Sequence, residues 1–166
     1  MSGVGEYFAR ADEILGQTTS NEVAPMWKME RTVVGALLAI HGWDPADATL
    51  TATLTYDRLA LLEEKTTTQG WLSVDRLLGL LSTVADRPET TVRHFEAALA
   101  FCRDSGMRPE LAWTCSDYAK MLLARDTPGA REKATELQDE AIAIAQELGM
   151  QPLLERMLAQ REILKA

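Results

Sequence analysis

Little in this chain of 166 residues has the look of a catalyst or of a membrane protein. Its two cysteines, Cys102 and Cys115, stand 13 residues apart with no CxxC neighbour. On helical segments such thiols behave as small hydrophobes, and both are expected to be buried and reduced. Aromatic residues are only 6% of the chain while alanine and leucine abound, a balance that suits helices and not sheets. Positive charge is also scarce: 17 Lys and Arg face 25 Asp and Glu, for a net charge of -8. Without a basic stripe, a nucleic-acid backbone is not an expected ligand. The longest apolar runs, such as VVGALLAI from Val33 to Ile40, fall well short of the roughly 20 residues that span a bilayer. The opening MSGVGEYFARADEIL has early acids and no basic head before an apolar run, so no secretory signal is expected and the cytoplasm is the expected compartment. The GxxxxGKS/T, GxSxG, HExxH and GxGxxG patterns are absent, which removes the common phosphate-binding, hydrolase, zinc-protease and dinucleotide signals.

What is present is a regular punctuation of helix-length segments. Breakers at GQTTSNE, HGWDPAD, KTTTQG, ADRPE, DSGMRPE, RDTPGARE and LGMQP predict eight helices, over 4–16, 22–41, 45–64, 70–85, 89–105, 109–125, 130–148 and 151–164. Asp44 before Pro45, and Ser73 or Thr90 ahead of apolar periodicity, supply helix-start chemistry. Gly106 and Gly149 sit where a left-handed cap would end a helix. Short loops make successive helices antiparallel neighbours, and no linker suggests a second domain. A single domain over 1–166 is expected.

The stretch HFEAALAFCRDSGMRPELAWT, His94 to Thr114, aligns without a gap on LQDEAIAIAQELGMQPLLERM, Leu137 to Met157. Ala98 meets Ala141, Gly106 meets Gly149 and Pro109 meets Pro152, whereas His94 meets Leu137 and Cys102 meets Ala145. The apolar frame recurs and the reactive groups do not, which favours architecture over catalysis. Pro45 maps on Pro88 at 43, and DRPETT on RDTPGA at about 40, one helical hairpin per repeat. Gly35, Gly79 and Ala119 in first helices, with Ala98 and Ala141 in second helices, are small where helix backbones must approach closely.

This pattern resembles the tetratricopeptide-like repeats, most clearly over 70–164, and is similar in phrasing to the C-terminal repeat regions of bacterial signal-transducing ATPases, LuxR-type activators and nucleotide cyclases. The spacing is longer than a regular repeat, the loop at Thr127 to Glu132 carries an insertion, and Leu stands beside Gly79 where an aromatic is usual. The resemblance implies an all-α fold, a right-handed superhelix of about four antiparallel hairpins, in bacterial signalling or transcription control.

Of the groups that could carry chemistry, His94 and Cys102 lie eight residues apart, too far for one ion on one helix, and no metal, cofactor or catalytic residue is expected. The paired acids in LLEEK and LQDEA read as solvated faces. Interaction remains. In stacked hairpins the first helices line the concave side. The register of Gly35, Gly79 and Ala119 then puts Ser73, Arg76, Thr83, Trp113, Ser116 and Lys120 toward a protein or peptide partner, with Met29, Thr32, Ala36, Leu80 and Leu123 beside them. Arg76 and Lys120 would receive a carboxylate; Trp113 is either an aromatic anchor or packing between hairpins. Met26, Trp27 and Met29 could equally form a self-association patch or pack under the first helix. The expected function is a non-catalytic interaction or regulatory module, the alternatives being an effector-sensing helical domain or the dimerisation module of a larger regulator.

Overall fold

Ser73 begins a helix by the local chemistry its sequence offers: its backbone is extended and its Oγ accepts from the Arg76 N–H at 3.3 Å. The computed structural model describes residues 33, 36, 37, 40, 48–61, 71–125 and 127–165. Over these the chain forms α1 (Ala48–Ala60), α2 (Val74–Val84), α3 (Pro88–Asp104), α4 (Arg108–Arg125), α5 (Ala130–Leu148) and α6 (Gln151–Lys165), with further helical residues at 33, 36, 37 and 40. The regular structure is therefore helical, as expected, and six of the eight predicted helices are seen with ends shifted by up to four residues. The predicted helix over 4–16 and most of that over 22–41 lie outside the described residues, as do the Asp44–Pro45 start and Met26, Trp27 and Met29. Among the described residues no helix is long and apolar enough to cross a membrane.

Proline and left-handed residues set the helix boundaries. Pro88 opens α3, and Pro109 and Pro152 stand second in α4 and α6, where a missing N–H costs nothing. Thr90 is therefore inside the first turn of α3 and does not start it. Gly106 and Gly149 carry φ of 70° and 66°, the left-handed caps predicted for them. Asp86 takes the same conformation at φ 53° after α2, without glycine's freedom. Before α5 the left-handed residue is Gly129, 43 residues after Asp86, so the offset of about 40 expected there gives way to the same 43 that relates Gly106 to Gly149.

Two compact units make up the chain, Met1–His94 and Phe95–Ala166, and the division falls within α3 and not in a loop. In the first, α1 packs on α2. Ala52, Tyr56 and Leu59 meet Val74, Leu77, Leu78 and Leu81, joined by Val33 and Ala36. In the second, α4 packs on α5 and α5 on α6. Phe95 stacks on Tyr118 with centroids 5.0 Å apart, beside buried Ala98, Leu99, Ala119, Leu137 and Ala141. The recurring small residues Gly79, Ala98, Ala119 and Ala141 are all buried. Helix α4 is covered on more than one side, with buried residues at nearly every position from Glu110 to Leu122.

Candidate functional site

The covering of α4 changes the expected interaction face. Ser116 is fully buried there, and its Oγ has no hydrogen-bond partner. Ser73 is fully buried and spent on its cap, and Ala36 belongs to the core of the first unit. None of these three is open to a partner, because period alone does not tell a helix with one free face from one packed around. The rest do reach the surface. Arg76, Leu80, Trp113 and Leu123 are half-buried, and Thr83 and Lys120 are exposed. Thr83 turns its hydroxyl back onto the Gly79 carbonyl at 2.9 Å. Trp113 lies under Arg156, whose guanidinium carbon is 5.7 Å from the ring centroid and whose Nη2 binds Asp117 at 2.9 Å. Of its two expected roles, the indole has at least a packing contact between α4 and α6. Met29 and Thr32 lie outside the described residues.

Within the first unit the folding brings together three residues that the sequence keeps apart. His94 on α3 places Nδ1 2.8 Å from Asp75 Oδ1 on α2, and Nε2 2.9 Å from the Tyr56 hydroxyl on α1. Arg93 Nη2 approaches the same Nε2 at 3.5 Å. A guanidinium can only donate, so Nε2 is the acceptor of this ring and Nδ1 carries the hydrogen given to Asp75. Arg87 lies over the Tyr56 ring, 5.1 Å from its centroid, and 3.8 Å from Asp57. The imidazole ties three helices through groups that are nearly buried, each less than a tenth exposed. Sequence reading set His94 aside because it searched within one helix, and spacings of 19 and 38 residues carry no local signal.

The second unit carries two sets built alike. In one, Glu96 on α3 accepts from the Tyr118 hydroxyl on α4 at 2.7 Å and from Lys133 on α5. In the other, Glu140 on α5 receives Arg103 of α3 through Nε at 3.3 Å and Nη2 at 2.6 Å, and the Cys115 thiol of α4 at 3.5 Å. Each set has one acid, one cation and one donor rising from α4 between them. Burial, reinforced by the Glu140 carboxylate, pushes the Cys115 thiol far above its ordinary range. Burial and Glu96 do the same to Tyr118. A thiol so held stays protonated and is a poor nucleophile. Both cysteines are reduced thiols and buried, as expected. Among the described residues no group of three or more His, Cys, Asp or Glu is placed to hold a metal ion.

The helix-turn-helix junctions repeat closely. Met107 N–H returns to the Cys102 carbonyl at 2.9 Å and Met150 N–H to that of Ala145 at 2.8 Å. Gly106 and Gly149 bond Arg103 and Gln146, and Arg108 and Gln151 both bond the glycine two residues back. At each of these positions 43 apart both residues are buried: Thr91 and Ala134, His94 and Leu137, Ala98 and Ala141, Cys102 and Ala145, Glu110 and Leu153, and Thr114 and Met157. Compared with known protein families, with characterised proteins and with solved structures, the chain matches none.

Proposed function

We propose that the chain is a non-catalytic interaction or regulatory module of a bacterial signalling or transcription-control system, a right-handed stack of tetratricopeptide-like hairpins in the cytoplasm. The recurrence of one junction at 43 residues, in backbone bonds and in burial, carries this reading: a unit repeated for packing supplies surface and not a reaction centre. The polar groups of the second unit support it. They are used as ties between helices, and the Cys115 thiol is held protonated.

The partner-binding residues on this reading are Arg76 and Thr83 on the first unit and Lys120 and Trp113 on the second. In each unit the cation attracts acidic groups of the partner despite the net negative charge, because local potential guides docking. Capture of partners from the source cells on immobilised protein, followed by calorimetric titration of the main one, tests it. Arg76→Ala with Lys120→Ala is expected to melt like the parent and lose most of the affinity. A folded double variant that binds as the parent does would end the assignment. A second reading, an effector-sensing domain, is favoured by one observation: Tyr56, Arg87, Arg93 and His94 converge in the first unit.

A further inference from the structure

Two donors meet one acceptor at His94. Nε2 has a single in-plane lone pair, yet both the Tyr56 hydroxyl, at 2.9 Å, and Arg93 Nη2, at 3.5 Å, are directed to it. The nearer donor satisfies the imidazole, leaving the guanidinium at the outer limit of a hydrogen bond. Arg87 stands on the other ring of the pair, over Tyr56. Its own ion pair, with Asp57 at 3.8 Å, joins side chains 37% and 62% exposed and is the weakly held kind that a better anion displaces. Two cations thus flank the hydrogen-bonded Tyr56–His94 pair in a protein of net charge -8, and the acid wired to His94, Asp75, lies on the opposite ring nitrogen.

We propose that Arg87, Arg93 and Tyr56 form a site for a tetrahedral oxyanion of the sulfate or phosphate-monoester class, with His94 as the positioning residue behind it. The inference rests on the effector-sensing reading and not on the protein-partner one. Planar guanidinium forks suit such oxygens, and the phenol adds a third donor. When Tyr56 turns its O–H to the anion, Nε2 loses its donor. Arg93 Nη2, already 3.5 Å away, then becomes the donor to Nε2, while Nδ1–H keeps Asp75. Among the described residues, the groups facing the imidazole are Tyr56 from α1, Asp75 from α2 and Arg93 beside it on α3, with Arg87 one ring further out. Anion binding is accordingly linked to the hydrogen bonds of a residue that joins three helices.

Sulfate is the probe, because it does not itself titrate near neutrality. Calorimetric titration at constant ionic strength, with chloride as the balancing salt, is expected to show one saturable site on the parent. Arg93→Gln, at an exposed position, should weaken sulfate by about tenfold or more, and Tyr56→Phe should weaken it as well. Phenyl phosphate titrated alongside distinguishes a free ion from a group on an organic carrier: equal affinity indicates the first, tighter binding the second. No saturable sulfate site on the parent, or equal binding by a folded Arg93→Gln, overturns the proposal. No protein partner enters this experiment, so that failure would leave the partner reading untouched.

Discussion

Gly106 and Gly149, 43 residues apart, hold the same left-handed backbone, and the residue after each returns its N–H to the carbonyl five positions earlier. A Cβ built at either glycine meets nothing within 4 Å, so the cost of a side chain there is conformational and not steric crowding by neighbours. Gly106→Ala and Gly149→Ala should each lose roughly 1–2 kcal/mol in urea unfolding. Asp86, left-handed without being glycine, should behave oppositely, Asp86→Gly gaining up to about 1 kcal/mol. Unchanged midpoints for the two alanine variants would show that these caps are not what ends α3 and α5.

Ala98 and Ala141 are fully buried at equivalent positions. Leucine at either should overpack its contact and cost about 1–3 kcal/mol, seen as a lower melting temperature. From sequence alone, Glu96→Leu is expected to be neutral, as a change on an exposed position. The structure reverses this, since Glu96 is half-buried and accepts from both Tyr118 and Lys133. Its replacement strands the Tyr118 hydroxyl and should cost about 1 kcal/mol.

Acid should loosen the second unit through its two glutamates. The Arg103 fork, outweighing desolvation, holds the Glu140 carboxyl below its usual range. Burial alone would raise Glu96, but hydrogen bonds from Lys133 and Tyr118 outweigh it and leave this carboxyl lowered as well. A carboxyl lowered by folding contributes stability that is present above its unfolded pKa of about 4.3 and is lost as pH falls through the folded value. Urea midpoints should therefore drop between about pH 5 and pH 3, and a Glu96→Gln, Glu140→Gln variant should show a flatter profile there. An equal drop in that variant would assign the acid sensitivity elsewhere.

The Cys115 thiol, raised by burial and by Glu140, should resist iodoacetamide in the native protein near neutral pH, reacting only as fast as the chain opens. Denaturant should restore ordinary reactivity. Fast native alkylation at Cys115, located by peptide mapping, would contradict the burial and charge described for it. Chelators should leave the melting temperature unchanged, since among the described residues no group of three or more His, Cys, Asp or Glu is placed to hold a metal ion.

The helical class, six helix spans, the glycine caps at 106 and 149 and the buried small residues were legible in the chain, because each depends on residues within a turn or two of one another. The Ser73 cap was read correctly as chemistry and wrongly as surface: the same hydroxyl cannot close a buried helix end and also face a partner. Ser116 failed for a related reason, since the pattern of α4 tells that it is buried but not from how many sides.

By itself the sequence determined, to within four residues, where the six described helices start and stop, and the 43-residue frame in which two junctions recur, because backbone sterics and capping bonds are local. Tertiary structure alone decided that Asp75, His94 and Tyr56 meet, that Glu96 and Glu140 each receive a donor from α4, and that Asp86 pairs in frame with Gly129. Such contacts join helices distant along the chain, and their geometry follows from how whole helices pack, which no short window of residues encodes.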